Sequence, residues 1–352
     1  MQRQDVVAFL EERFPSALAE EWDHTGLQVG PLHAPCRRVM ITLDLRLGLL
    51  DMLPGVDLVL THHPLLFRPP QTVDPESPLG RKLQALLSQG TACYAIHTPY
   101  DVAQGGLGER LAELIGIREA RPLEPRGELV KLVVFVPQGH VEEVAQAVFS
   151  AGAGQIGRYG RCSFRTGGTG TFLPQPGTHP FIGEVGKEQH TPEVRLETVV
   201  PRERVGKAVS AMLAAHPYEE VAYDLYPLLN QAGLHGLGRI GTLAQPSPAR
   251  EVIESFATAL GGATPQVYGD ERIRVEKVAV CGGSGGRLWQ TALASGAQLY
   301  LTGEIGYHEG LQAEEAGLTV AALGHRQTEA PFTSHMASLL KERFPQLEVI
   351  ER

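Results

Sequence analysis

Short apolar runs alternate with amphipathic segments over the first 126 residues. Apolar positions at helical spacing predict helices, and brief runs of β-branched and small residues predict strands. We expect helices over residues 5–14, 79–90 and 107–116, and strands over residues 38–43, 58–61 and 92–97. Glycines at positions 90 and 116 are plausible helix stops. This alternation is typical of an α/β layered domain with a largely parallel sheet.

The same alternation returns in the last third of the chain. We expect helices over residues 249–260, 288–295 and 308–316, and strands over residues 275–280, 298–302 and 318–322. A last helix begins around His325. It is expected to break at Ala330-Pro331 before it restarts, because proline disrupts a helix interior.

The middle of the chain has a different pattern. Residues 121–127 contain two prolines and predict a linker. Beyond it, strand-like residues 131–137 and 194–201 both end on Val-Pro, and each run leads into a helix, over residues 140–150 and 203–216. This duplication is typical of a split βαβ, ferredoxin-like module. Between the halves, residues 152–186 are rich in glycine, threonine and proline, which favours a hairpin or a long loop.

Three short polar segments, here called islands, each follow a predicted strand on one side or the other of the middle of the chain. They are Thr61-His62-His63-Pro64, His97-Thr98-Pro99-Tyr100-Asp101 and Gly324-His325-Arg326-Gln327-Thr328-Glu329. A fold can assemble such distant islands at the carboxyl ends of its strands. His62, His63, Asp101, His325 and Glu329 would then form a nitrogen and oxygen ligand set for two divalent ions.

Two adjacent histidines can both bind metal only under particular geometric conditions. Neighbouring strand residues point to opposite faces, so His62 and His63 converge only where the strand ends, and we expect them to bind separate ions. The plainer alternative is a pair of strand-end histidines hydrogen-bonded to backbone. His325 and Glu329 are four residues apart and share one helix face, so the carboxylate of Glu329 can bridge two ions.

Other residues are secondary candidates. His97 is predicted to be a proton-transfer group or a hydrogen-bond partner. Glu304 and His308 are four residues apart, and either residue could contact the site or be structural. His308 is the second candidate for a catalytic residue. The glycine-rich run at residues 282–286 could cradle an anion, although such turns also occur for steric reasons. Histidines without an acidic companion at a strand end are expected to be structural: His33, His140, His179, His190 and His216.

We therefore predict a two-part α/β layered metal-binding core interrupted by a ferredoxin-like α+β insertion. The core comprises residues 1–126, with His62, His63 and Asp101, and residues 233–352, with His325 and Glu329. The insertion comprises residues 127–232. A length of 352 residues suits two or three domains, and the candidate ligands come only from the flanks.

Composition narrows the expected partners and location. The net charge is −9, and no basic run exists to neutralise phosphates, which argues against nucleic acid and anionic membranes. No apolar run approaches the roughly 20 residues needed to span a bilayer. The N-terminus lacks the apolar core of a signal peptide, and the four cysteines are widely spaced. We therefore expect a cytoplasmic protein, for which small anionic ligands remain possible.

Several segments, in this order, resemble the NIF-three-like family, often catalogued as GTP cyclohydrolase I type II homologues. The matching segments are residues 21–30, 61–67, 97–101, 238–241, 278–285, 301–304 and 324–329. The middle of the chain resembles the PII-like or CutA-like insertion of longer bacterial members. Family members usually have asparagine where this chain has His24 and Pro99, so substrate contacts could differ.

The resemblance implies a two-metal centre with His62, His63, Asp101, His325 and Glu329 as ligands. It also implies a toroidal homohexamer whose metal sites face an internal cavity. Histidine ligands favour zinc, iron or manganese over magnesium. The implied activity is metal-dependent hydrolysis of a nucleotide or phosphoester, with opening of the guanine ring of GTP as the named reaction. The alternative is a non-enzymatic metal-binding, storage or regulatory protein with a sensing insertion.

Overall fold

The fold is mixed α/β, and its strands form two sheets. The structure, a computed structural model, describes residues 1–157 and 159–352, with side chains at all of these except 231, 232 and 234. It divides into two compact units, which we call the core unit (Met1–Pro125 and His235–Arg352) and the middle unit (Arg126–Leu234). Within the described residues, every helix is too short or too polar to span a membrane.

The first half of the core unit is built on a five-stranded sheet. Its strands are β1 (Gly26–Val29), β2 (Arg38–Thr42), β3 (Leu58–Thr61), β4 (Ala92–Ala95) and β13 (Glu348–Glu351), in the order β1-β4-β3-β2-β13. All neighbours run parallel except β1, which is antiparallel to β4. The register places Thr42, Thr61 and Ala95 side by side, so the residues that follow these strands leave the sheet at one edge.

Four helices accompany this sheet. They are α1 (Arg3–Arg13), α2 (Pro78–Gln89), α3 (Thr98–Val102) and α4 (Leu107–Ile115). Gly90 and Gly116 end α2 and α4 with φ of 62° and 80°, a left-handed conformation that glycine adopts without steric cost. Both predicted glycine stops are therefore confirmed.

The second half of the core unit repeats this arrangement. Its strands are the later part of β8 (Tyr223–Pro248), β9 (Gln266–Tyr268), β10 (Arg274–Cys281), β11 (Leu299–Thr302) and β12 (Thr319–Ala322), in the order β8-β10-β11-β12-β9. Here β10, β11 and β12 are parallel. The helices are α7 (Ala249–Ala259), α8 (Trp289–Ala294), α9 (Tyr307–Glu315), α10 (His325–Glu329) and α11 (Pro331–Arg343). The predicted break at Ala330-Pro331 is confirmed.

One hydrophobic core joins the two halves of the core unit. Ile41 and Leu60 from the first half share a buried cluster with Val280 and Leu301 from the second. Phe332 of α11 belongs to the same cluster. Parallel strands covered on both faces are expected to be continuously apolar, and β3, β4, β11 and β12 are buried at every position.

The middle unit has its own buried core. Its elements are the later part of β5 (Arg118–Pro137), α5 (Val141–Ser150), β6 (Ser163–Phe172), β7 (Gln189–Pro201), α6 (Val205–Ala215) and the start of β8. β7 is antiparallel to both β5 and β6, so residues 152–186 include one arm of a hairpin. Alternate residues of β5, among them Leu132 and Val134, pack with Val144 of α5 and Met212 of α6.

The prediction of a linker over residues 121–127 is wrong, because these residues lie within β5. Proline fixes φ at a value compatible with extended backbone. Leu123, between the two prolines, is buried in a cluster with Ile240 and Trp289. Strands β1, β9 and β13 are not predicted from the sequence, because they are partly exposed and lack the apolar run that marks the other short strands.

Arg239 is the largest fully buried side chain, with 1% exposure. Its guanidinium donates to both oxygens of Glu109 on α4, at 2.7 and 2.8 Å, and to the carbonyls of Gly236 and Gly238, both at 2.6 Å. A Cβ on Gly108 would lie only 3.1 Å from the Arg239 side chain. Buried hydrogen bonds therefore tie β8 to α4.

We predict that Arg239→Met lowers the free energy of unfolding by about 3–5 kcal/mol, because it leaves the Glu109 carboxylate without its partner. Arg287 is a matched control. It pairs with Glu124 in the same two-point manner, at 3.0 Å, but is half exposed. Arg287→Met should cost about 1 kcal/mol or less. Urea denaturation measures both, and equal losses would contradict the structural role of Arg239.

Candidate metal centre

Glu329 lies among three histidines. Its Oε1 is 3.0 Å from His325 Nε2 and 3.7 Å from His62 Nε2, and its Oε2 is 3.1 Å from His63 Nε2. The Glu329 side chain is 4% exposed. His62 and His63 directly follow β3, whereas His325 and Glu329 begin and end α10, just after β12. The structure thus brings the two flanks of the core unit together at one carboxylate.

Asp101 completes this cluster. It lies on α3, and its Oδ1 is 3.6 Å from His62 Nε2. Burial raises the pKa of Asp101 to about 6. All five residues predicted as ligands therefore lie in one place. The rings of His62 and His63 converge just beyond the strand end, with centroids 4.9 Å apart, and both Nε2 atoms face Glu329.

The Nδ1 atom of each of these three histidines, on the side of the ring away from Glu329, is hydrogen-bonded to an oxygen acceptor. His62 Nδ1 donates to the Ile96 carbonyl at 3.1 Å, and His63 Nδ1 donates to Asp44 Oδ1 at 3.0 Å. His325 Nδ1 donates to Glu304 Oε2 at 3.1 Å. A neutral imidazole with its hydrogen on Nδ1 has a lone pair on Nε2. Each ring is thus oriented as a metal ligand requires.

Three buried atoms of the cluster have no hydrogen-bond partner. Among the described residues, His62 Nε2, Asp101 Oδ1 and Glu329 Oε2 are inaccessible to solvent and make no hydrogen bond of acceptable geometry, although Glu329 Oε2 is close to His63. An unsatisfied buried polar group costs about 1–3 kcal/mol. A divalent cation would satisfy all three atoms, and the nitrogen and oxygen donors suit one. The residues present therefore fit a metal ion.

His97 lies beside the cluster. Its ring centroid is 5.2 Å from that of His62 and 5.3 Å from that of His63, and nitrogens of the three rings are close enough together to hold one ion. His97 Nδ1 donates to Asp23 Oδ1 at 3.0 Å. Burial opposes ionisation of Asp23, but hydrogen bonds from His97 and Thr98 outweigh it and lower its pKa.

Asp23 and Asp44, which accept hydrogen bonds from His97 and His63, were not predicted from the sequence as site residues. Asp44 follows β2 at the same sheet edge as His62 and His63, so its position at a strand end was a usable signal. Asp23 precedes β1 and lies outside any predicted element. Its only signal was its place in residues 21–30, which match the family.

Glu304 and His308, the two secondary candidates, differ in their relation to the cluster. Glu304 accepts hydrogen bonds from His325 and from Ser284 Oγ, the latter at 2.9 Å, so it orients His325. His308 is exposed on α9, and its ring lies 5.3 Å from that of Tyr307. Among the residues described, no hydrogen bond or ion pair joins His308 to the cluster.

The glycine run at residues 282–286 has a steric role at the site. Gly283 has φ of 59°, and a Cβ there would clash with Glu329 Oε1. Its N–H donates to Thr328 Oγ1 at 3.0 Å. The run therefore leaves room for the Glu329 carboxylate, as the steric alternative predicted.

Comparison with known proteins agrees with the family resemblance of the sequence segments described above. A family model described as Duf34/NIF3 (NGG1p interacting factor 3) matches residues 1–351. The chain belongs to this family. The NIF3 chain is 37% identical to a Halalkalibacterium halodurans protein named "GTP cyclohydrolase 1 type 2 homolog", over 99% of this chain and 95% of the relative.

Two further relatives extend this result. A Bacillus subtilis protein of the same name is 40% identical and covers 92% of the NIF3 chain and 87% of its own length. A crystal structure of a Bacillus cereus protein related to NIF3 superposes with a TM-score of 0.87 at 35% identity, covering 100% of this chain and 96% of that one. The fold and the family are therefore shown over essentially the whole chain.

The charges within the NIF3 cluster compensate one another. Burial opposes protonation of His63, but the hydrogen bond to Asp44 and the close contact with the Glu329 carboxylate outweigh it and raise its pKa to about 10. The hydrogen bond to Glu329 raises the pKa of His325 to about 9. Burial also opposes ionisation of Glu329, yet the close contacts with His325, His62 and His63 hold its pKa far below the usual range. Without metal, protons on the rings take the place of cations.

We predict that metal binding releases protons. Because the pKa values of His63 and His325 are raised to about 10 and about 9, both rings are largely protonated near neutral pH and must lose a proton to coordinate. The apparent affinity for Zn²⁺ should therefore rise between about pH 6 and about pH 9. Calorimetric titration in two buffers of different ionisation enthalpy counts the protons. An affinity independent of pH, with no proton release, would contradict this reading.

Proposed function

We propose that the chain is a dinuclear metal-dependent hydrolase that acts on a nucleotide or phosphoester. The observation that carries the proposal is the set of buried, unpartnered ligand atoms on His62, Asp101 and Glu329. The histidine donors favour zinc, iron or manganese over magnesium. The names of the Halalkalibacterium halodurans and Bacillus subtilis relatives support GTP as one substrate to test.

The placement of Glu329 supports two ions rather than one. Its Oε1 lies near His325 and His62, whereas its Oε2 lies near His63. Two overlapping groups, His62-His63-His97 and His63-His325-Glu329, each bring ligand atoms close enough for one ion. We propose that Glu329 would contribute to the binding of both ions, together with His62, His63, Asp101 and His325. Bound ions of this kind lower the pKa of water from about 15.7 toward 7 and neutralise phosphate oxygens.

His97 is placed to move a proton. It faces the cluster, and Asp23 fixes its ring through Nδ1, so the other nitrogen can accept or donate a proton at the reacting group. The proposed catalytic role of His97 rests on this placement. His308 lacks such contacts among the described residues, and we propose no role for it within one chain.

An arginine-lined cavity supports a phosphate-bearing substrate. It has a volume of about 220 Å³ and is lined by Arg46, Arg326 and Arg352 together with Asp44. Asp44 also holds His63, and Arg326 directly follows His325, so the cavity adjoins the proposed ligands. Among the described residues, the guanidinium groups of Arg46 and Arg326 form no ion pair. Arginine is well suited to bind phosphate oxygens in pairs.

We further propose that the middle unit is a ferredoxin-like insertion and that the protein is a cytoplasmic toroidal homohexamer. The element order β5-α5-β6-β7-α6-β8 and the strand order β8-β5-β7-β6 support the first proposal, because they match a split βαβ module. The hexamer rests on the family resemblance. The alternative of a non-enzymatic metal-binding or regulatory protein is favoured by a large cavity within the middle unit.

We expect Glu329→Gln to weaken binding of both ions together, because the amide keeps the shape but removes the charge that both cations share. Elemental analysis after equilibrium dialysis at limiting free Zn²⁺ measures the stoichiometry. His62→Ala should instead favour loss of one ion, and Glu342→Gln, an exposed carboxylate on α11, should change nothing. Two ions at unchanged affinity in Glu329→Gln would rule out the bridge.

We expect metal-loaded protein to hydrolyse at least one member of a panel of nucleotides and phosphoesters. His97→Gln should lower kcat by about 10²–10⁴-fold. Arg326→Gln should mainly raise KM for a phosphate-bearing substrate and leave metal content unchanged. Absence of turnover across the panel by protein with full metal content would favour the non-enzymatic alternative.

We expect replacement of residues 128–230 by a short flexible linker to leave a folded, metal-binding core. The physical reason is that each unit buries its own hydrophobic cluster. Thermal unfolding and metal content of the shortened chain test this. Loss of a cooperative transition would contradict the domain boundaries.

A further inference from the structure

We propose that the middle unit binds an organic cation, a protonated amine or amidine with an apolar body. The site is a cavity of about 670 Å³ whose lining lies entirely within the middle unit. It includes residues 166–172 of β6, Glu193 and Arg195 of β7, the segment that follows β6 and the segment that follows α6. The proposed metal centre belongs to the core unit, so this inference does not depend on the proposed hydrolase activity.

A buried carboxylate lies in the cavity wall. Glu193 on β7 is 8% exposed. Within the described residues its side chain accepts one hydrogen bond, from Tyr218 Oη to Oε1 at 2.9 Å. A Cβ on Gly170 of β6 would clash with Glu193 Oε2, so glycine at that position leaves room for the carboxylate. A buried charge with a single neutral donor is costly unless a cation accompanies it.

The other charges of the lining also favour a cation. The lining includes the carboxylates of Glu219 and Glu220 and one cationic side chain, Arg195. Arg195 is already paired, because its Nε lies 2.7 Å from Glu197, which is not part of the lining. An anionic ligand would meet three carboxylates, and a neutral ligand would leave Glu193 without a counter-charge.

Aromatic rings of the lining suit the same ligand. The Phe172 and Phe181 ring centroids lie 5.9 and 6.3 Å from that of Tyr218, and Tyr218 contacts the buried carboxylate. Aromatic faces attract ammonium and amidinium groups. Phe135, Leu173 and Ile182 add apolar surface for the rest of the ligand. A carboxylate within an aromatic, largely apolar cavity is therefore built for a cation with an apolar body.

Calorimetric titration of the full-length protein with small probes tests this inference. The cationic probes are 2-phenylethylammonium and benzamidinium. The neutral and anionic controls of similar shape are 2-phenylethanol and 3-phenylpropionate. We expect at least one cationic probe to bind and both controls to bind at least about tenfold more weakly. No binding by either cation, or equal binding of cation and alcohol, would overturn the proposal.

Variants then locate the site. Glu193→Gln should weaken binding of the cation at least about tenfold, whereas Glu188→Gln, an exposed carboxylate of the same unit outside the lining, should have no effect. Phe181→Leu keeps the carboxylate and should reduce the preference for the cation over the alcohol, which keeps the test valid if Glu193→Gln does not fold. Metal content should stay unchanged throughout. Affinity unaffected by either cavity variant would place the binding elsewhere and refute the site.

Discussion

The site depends on one electrostatic constraint, the burial of the Glu329 carboxylate among the imidazoles of His62, His63 and His325. A buried carboxylate needs positive charge close by. In the metal-free protein, protonated rings provide that charge, and this is why the pKa values of His63 and His325 are raised while that of Glu329 is lowered. A metal ion would replace those protons. The same geometry can therefore hold protons on the rings or serve as a ligand set.

The parallel strands are what bring these groups together. Thr61 and Ala95 are in register at the ends of β3 and β4. The segments that carry His62 and Asp101 therefore leave the first sheet at the same edge. Thr302 and Ala322 are in register in the second half of the core unit, which places Glu304 beside His325. The shared hydrophobic core holds both edges together. Residues separated by more than two hundred positions in sequence meet because each follows a strand.

The sequence predicted the parts of this arrangement that depend on strand ends. His62, His63, Asp101, His325 and Glu329 could be chosen because each follows an apolar run, and the long periodic helices were likewise evident. The supporting contacts were harder to find. Whether Asp23 holds His97, or Gly283 leaves room for Glu329, depends on packing between segments that sequence spacing does not encode.

The errors have physical causes of the same kind. The prolines of residues 121–127 predicted a linker, yet proline also suits extended backbone, and burial of Leu123 decides for a strand. His308 shares its helical spacing with Glu304, but the turn before α9 leaves it exposed. Short strands such as β13 are stabilised by pairing with a neighbour, here β2, and not by their own residue pattern.

Anomalous diffraction from crystals of metal-loaded protein tests the central claim most directly. Data collected on both sides of the absorption edge of the bound metal would show the number of ions and their ligands without any assumption about activity. The account predicts two peaks about 3.5–4 Å apart, with one oxygen of Glu329 coordinating each ion. A single peak, or two ions that Glu329 does not bridge, would contradict it.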